Sequence, residues 1–178
     1  RVRHINKNYF QLFNIPESFE LDLNSLADNF RELQIETHPD RFANAGEQEK
    51  LRAVQLSSLV NGAYGTLKSP LERAGYLLSL RNIDVENVTQ ADLGMDLLME
   101  QMQLRESLDA LPGDESALTE LEALKKDVSE KFQDRQQKFA SSYQDNMLQE
   151  AKKIFHEMQF LNKLLAEIDS GEEQRLGY

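Results

Sequence analysis

The chain has 178 residues, with 20 Lys and Arg against 31 Asp and Glu, a formal net charge of −11 and no cysteine. An acidic surface repels phosphate backbones and anionic lipids, which argues against nucleic-acid and membrane-surface roles. Without thiols there are no disulfides, thiolate metal sites or cysteine nucleophiles, a composition that fits a reducing compartment. A hydrophobic fraction of 40% supplies two small cores but not a large enzyme domain with a deep cleft. No run reaches the roughly 18 apolar residues of a membrane helix, and the charged start, residues 1–7, has no apolar run behind it and is not read as a signal peptide.

The periodicity is helical throughout, and Gly and Pro fall mostly at boundaries. A short apolar segment, Tyr9 to Phe13, runs into Asn14-Ile15-Pro16, where proline marks a turn. Asp22 is placed to cap a second helix that presents Leu23, Leu26, Phe30 and Leu33. Pro39 ends that helix near Thr37 or His38, because the residue before a proline avoids helical geometry. A polar loop through Asp40, Asn44 and Gly46 leads to a third helix over about 47–68, carrying Leu51, Val54, Ser58, Tyr64 and Leu67. Gly62 and Gly65 inside it are expected at a close helix contact. Ser69-Pro70-Leu71-Glu72 supplies an N-cap, a first-turn proline and a capping-box Glu for a fourth helix through Ala74, Leu77 and Leu78. Residues 82–94, polar and broken by Thr89 and Gly94, are predicted to be a linker. Three longer helices follow near 95–111, 114–143 and 146–170, separated by Pro112-Gly113 and by Gln144-Asp145-Asn146. Such short connections make antiparallel neighbours, hence a three-helix bundle, with the chain expected to fray from Gly171.

The most informative feature is His38-Pro39-Asp40. A tripeptide of this kind arises by chance in about two chains per hundred of this length, so its context matters. It closes one amphipathic helix, opens the loop into another, and is followed directly by Arg41-Phe42, with Tyr-Phe-x-Leu-Phe upstream. Proline fixes φ near −65° and stops the helix, which holds the imidazole and carboxylate outward on a stiff turn. With these residues the segment resembles the J domain, an antiparallel helix pair with this loop at its tip and short flanking helices. That resemblance implies that His38, Pro39 and Asp40, with Arg31 and Arg41 beside them, engage a DnaK-type chaperone and trigger its ATP hydrolysis. Members of that family usually carry a basic face on the helix before the tripeptide; here Arg31 shares it with Asp28, Glu32 and Glu36.

At about 100° per residue, Leu97, Leu104, Leu108 and Leu111 form one face of the first bundle helix, and Leu98, Met99 and Met102 lie roughly 150° away with Glu106 beside them. A second apolar face is not needed for folding and marks a docking surface. On the last helix Ala151, Ile154, Met158, Leu161, Leu165 and Ile168 form the core stripe. Phe160 lies about 130° off that stripe and is expected to be an exposed aromatic. Leu98-Met99-Glu100-Gln101-Met102-Gln103-Leu104-Arg105-Glu106, after Tyr76-Leu77-Leu78-Ser79-Leu80, is similar to the HscB family of iron–sulfur assembly co-chaperones over nearly the whole chain from Asn8. The resemblance implies that Leu98, Met99, Met102, Glu106 and Phe160 bind an IscU-like iron–sulfur scaffold and deliver it to an HscA-like chaperone. Gln103 and Ala110 stand where that family often has acids. The cysteine-containing N-terminal module common in eukaryotic members is not present in this sequence, so a bacterial-type, cytoplasmic protein is expected.

The histidines His4, His38 and His156 fall in no metal-ligand spacing, His156 reading as a surface or interhelical side chain, and no Gly-rich phosphate loop is present. The expectations are therefore an all-α chain with an N-terminal J domain at 8–81, a linker at 82–94 and a client-binding three-helix bundle at 95–171. It has no catalytic residues, metal or cofactor. The alternatives are a J-domain co-chaperone serving a different client and a structural helical adaptor.

Overall fold

The computed structural model describes residues 6–87 and 93–177. The described residues are helices and turns, and the chain divides into two compact units, Arg1–Leu77 and Leu78–Tyr178. His4 and Thr89 lie outside the described residues.

In the first unit α1 (Tyr9–Leu12) is closed by a capping box, in which Asn8 and Gln11 satisfy each other's backbone amides at 2.9 Å. The turn after it is made by Asn14 rather than by Pro16. Asn14 sits at φ 53°, and the amides of Asn14 and Ile15 return to the carbonyls of Gln11 and Phe10 at 3.1 and 3.0 Å. Asn tolerates this left-handed conformation better than other side chains with a Cβ. Replacing Asn14 with Val is expected to lower unfolding free energy by about 1–2 kcal/mol, and with Gly to leave it nearly unchanged, as read by urea denaturation.

Helix α2 (Leu23–Thr37) starts on Asp22, whose carboxylate accepts from Ser25 and Asn24. The Ser25 hydroxyl, then the two amides, hold that carboxyl below the usual Asp range. It ends where Pro39 requires, and α3 (Glu47–Lys68) returns antiparallel to it. The buried face of α3 is made of Ala53, Val60, Ala63 and Leu67, whereas Leu51 and Val54 are more than half exposed, as is Leu23 on α2. Small residues let α2 approach, and Phe30 stacks on Tyr64 with centroids 4.0 Å apart. Ser58 is also exposed. Gly62 and Gly65 are not contact points: among the described residues, a Cβ added at either would meet nothing within 4 Å beyond its chain neighbours and its own helix backbone. Gly62→Ala is accordingly expected to stabilise the chain by about 0.5–1 kcal/mol by restricting the unfolded backbone, a rise in urea midpoint at constant m.

Helix α4 (Pro70–Leu80) is capped by Ser69, whose hydroxyl accepts the Glu72 amide at 3.3 Å. Arg73 is buried and donates to the Leu67 carbonyl at the end of α3, with its guanidinium 4.8 Å from the Phe19 ring centroid. The division between the units falls inside α4, after Leu77. Asn82, at φ 61°, closes the helix with the same pair of returning amides seen at Asn14.

The second unit contains α5 (Met95–Asp109), α6 (Leu118–Gln144) and α7 (Leu148–Leu176), with a 3-10 turn at Glu115–Ala117 leading into α6. Its core joins Leu104 to Leu121 and Val128 and to Leu161, Leu164 and Ile168, with Leu108, Leu111 and Leu165 packed against it. Asn146, again left-handed at φ 60°, turns α6 into α7. The end of α7 does not fray at Gly171. It runs to Leu176, because Arg175 donates to the Pro112 carbonyl at 2.9 and 2.6 Å and Lys125 pairs with Asp169 and Glu172. Helix α5 buries only Leu97 and Leu104 outright, whereas α7 buries residues along most of its length.

Candidate functional site

The tip of the α2–α3 hairpin is neither buried nor absorbed into continuous helix. His38 is extended at φ −60°, ψ 130°, and Pro39–Phe42 form a 3-10 turn behind it. The Arg41 amide returns to the His38 carbonyl at 3.0 Å, and the Ala45 amide to that of Phe42 at the same distance. The Asp40 amide donates to His38 Nδ1 at 3.2 Å. A ring nitrogen that accepts carries no proton, so in neutral imidazole the proton sits on Nε2. The His38 side chain is 52% exposed and the Asp40 carboxylate 93%. The turn therefore offers an N–H donor and a carboxylate acceptor on a backbone fixed by its own hydrogen bonds.

The surroundings of the tip are only weakly basic. Arg31 is exposed but pairs with Asp28 at 2.7 Å, and Lys50 pairs with Glu47 at 3.7 Å. Arg41 and Arg52 are exposed beside them. Three apolar side chains at this end of the hairpin, Ile35, Leu51 and Val54, are 66%, 58% and 52% exposed. Sequence reasoning assigned none of these to the tip surface. The available signal was an isoleucine on a helix face otherwise occupied by charges.

On α5 the second face is open. Leu98 is 37% exposed, Met99 53% and Met102 63%, with Glu106 exposed in line. Met95, 72% exposed, extends the same row by one turn. The sequence reading missed it, although its spacing of four and seven residues from Met99 and Met102 was visible. Phe160 is not the exposed aromatic expected. It is partly buried and packs against the bundle core around Leu104 and Leu164, so most of its ring area is already used by the fold. His156 is buried rather than a surface side chain: Nδ1 lies 2.9 Å from Gln159 Oε1, and Nε2 has no hydrogen-bond partner among the described residues.

Among the described residues no cluster of His, Asp and Glu is placed to hold a metal ion, and no helix is long and apolar enough to cross a membrane. What the geometry offers is two exposed surfaces, a polar tip and an apolar helix face.

Comparison with known proteins gives that arrangement a class. Residues 93–169 match the HSCB C-terminal oligomerisation domain. A co-chaperone protein HscB homolog from Shewanella amazonensis is 37% identical over 95% of this chain and 99% of its own, and one from Vibrio cholerae is 39% identical over 96% and 99%. Among solved structures, chaperone HscB from Vibrio cholerae superposes with a TM-score of 0.85 at 37% identity, covering 95% of this chain and 99% of that one. The human co-chaperone protein HscB gives 0.85 at 29% identity, covering 93% and 82%. The protein is an all-α co-chaperone with an N-terminal J domain and a C-terminal three-helix bundle. It belongs to the HscB family.

Proposed function

We propose that this chain stimulates ATP hydrolysis by a DnaK-type, HscA-like chaperone and delivers to it an IscU-like iron–sulfur scaffold protein. The observation that carries the first half is the tip: His38 and Asp40 stand exposed on a turn held by the Asp40 amide and the His38 ring. A partner surface can accept from Nε2 and donate to the carboxylate without first ordering the loop, which lowers the entropic cost of docking. Arg31 and Arg41 flank this contact. The second half rests on the α5 face of Leu98, Met99 and Met102, with Glu106 at its rim and Met95 as an added anchor. Flexible thioethers adapt to an apolar partner. Phe160 contributes a ring edge.

In this reading residues 8–81 act as the J domain, 82–94 as a linker and 95–171 as the client-binding bundle, in a bacterial-type cytoplasm. The cluster is cargo of the scaffold, and the chain makes and breaks no covalent bond. A second reading, co-chaperone for a different client, is favoured by the neutral Gln103 on the docking helix and Ala110 at its C-terminal cap.

The test is steady-state ATP turnover by the chaperone with chain alone, scaffold alone, and both. The expected result is acceleration by the chain and a further, more than additive acceleration with the scaffold. Acceleration by the chain that the scaffold leaves unchanged would favour the different client, and no acceleration at all would remove the co-chaperone mechanism proposed.

A further inference from the structure

The docking face lies on the helix that the bundle holds least firmly by apolar contact. Helix α5 buries only Leu97 and Leu104 outright, on a single narrow stripe that the partly buried Leu108 continues. A stripe of this kind fixes how closely a helix approaches its neighbours but resists rotation about the helix axis weakly. Rotation is what matters for the opposite face. At about 100° per residue, Met95, Leu98, Met99 and Met102 centre roughly 150° from the Leu97 stripe, so any roll of α5 re-aims all four.

Two ion pairs act on the flanks of that stripe. Glu100 lies about 60° to one side of Leu97 and Arg105 about 80° to the other. Glu100 is gripped by Arg135 of α6, whose Nη2 donates to both carboxylate oxygens at 3.0 and 2.8 Å. The Arg135 Nε donates in turn to Glu157 of α7. The Arg135 side chain is only 13% exposed, so it is fixed by two helices while it holds the third. On the other flank Arg105 forms a two-pronged pair with Glu167 of α7. We infer that Arg135 and Glu167, acting through Glu100 and Arg105, are positioning residues that set the roll of α5 and so aim the apolar face at the scaffold protein. The inference rests on the proposed scaffold-binding role of that face. It adds that affinity depends on two opposed electrostatic ties whose residues need not touch the partner.

The pair on the exposed flank gives the cleaner test, since both side chains are about one-third exposed and a solvent-screened pair adds little to stability. In the intact 178-residue chain, Arg105→Glu places two carboxylates together and releases one tie. Arg105→Glu combined with Glu167→Arg rebuilds the tie with its polarity reversed. Scaffold affinity, measured by titration calorimetry, is expected to fall by about tenfold in the single variant, the scale of losing preorganisation rather than contacts. The double variant should recover most of it. Hydrogen exchange in residues 95–109 should speed up in the single variant relative to α7 and recover in the double. Arg135→Lys, which keeps the charge but not the fork, should fall between wild type and Arg135→Met. The inference is overturned if Arg105→Glu and Arg135→Met bind the scaffold at wild-type affinity while the Leu98, Met99 and Met102 triple alanine variant has lost binding. If instead that triple variant binds normally, the proposed docking face is wrong, and exchange across 95–109 alone then decides whether the ties hold α5.

Discussion

Substitution of His38 is expected to reduce chaperone ATPase stimulation by roughly tenfold or more, the scale of losing one desolvated hot-spot contact, with no change in thermal midpoint beyond a degree or two. The ring has two duties, and two substitutions separate them. Nδ1 accepts the Asp40 amide and closes the turn, which leaves Nε2 of the half-exposed ring as the donor. Asn places an oxygen near the Nδ1 position and is a good acceptor for such amides, so His38→Asn keeps the turn but removes the outward N–H. Gln reaches further and offers an amide N–H near the Nε2 position, but leaves the Asp40 amide to solvent. Stimulation should be lost in both, since the contact requires a donor and a rigid mount together. Asp40→Asn should act similarly, because its carboxylate is 93% exposed and contributes through its charge to a partner rather than to the fold. Undiminished turnover in all three would take the tip out of the mechanism.

The combined change of Leu98, Met99 and Met102 to Ala should weaken scaffold binding by about a hundredfold to a thousandfold. Each side chain loses an apolar contact of ~1–1.5 kcal/mol, and the three share one row. The folded chain should lose little, because these side chains are among the exposed large apolar residues and Ala is the best helix former. Phe160 must be treated separately. Its ring packs on the bundle core, so Phe160→Ala mixes a cavity cost of a few kcal/mol with any loss of contact. Phe160→Leu, with the unfolding free energy measured in parallel, isolates the binding contribution. Binding by the triple variant at wild-type strength would exclude this face as the scaffold surface.

Both surfaces were legible in the sequence to different depths. The exposed turn of the tip was legible because what makes it is local: Pro39 stops α2 and the loop is too polar to be buried. The cap that the His38 ring puts on the Asp40 amide and the exposed Ile35, Leu51 and Val54 beside it were not read. The α5 face was legible as a second apolar row, since a helix needs only one. Met95 was placed in the helix but missed as a member of the row, because it begins the helix one turn ahead of the three residues that define that row. Phe160 was misjudged for a different reason. An angle measured from a core stripe shows where a side chain points on its own helix, but not whether a neighbouring helix is there to meet it.

The sequence by itself determined the helices, the ends that carry a cap or a proline, and the exposed tip, because caps, prolines and periodicity act within a few residues. Asp22, Ser69 and Pro39 set boundaries that α2 and α4 keep, and α3 spans Glu47–Lys68 as its spacing requires. Only the tertiary structure decided which face of α3 turns inward. Its apolar residues surround the helix, and the winning face, through Ala53, Val60 and Ala63, is set by how closely α2 can approach. It also decided that α7 continues past Gly171, since Arg175 finds the Pro112 carbonyl 63 residues away. The partners of Arg135 and Arg105, up to 62 residues distant, were equally beyond the sequence. A long charged side chain can satisfy itself with many acids, and only the packed positions of three helices select which ones it meets.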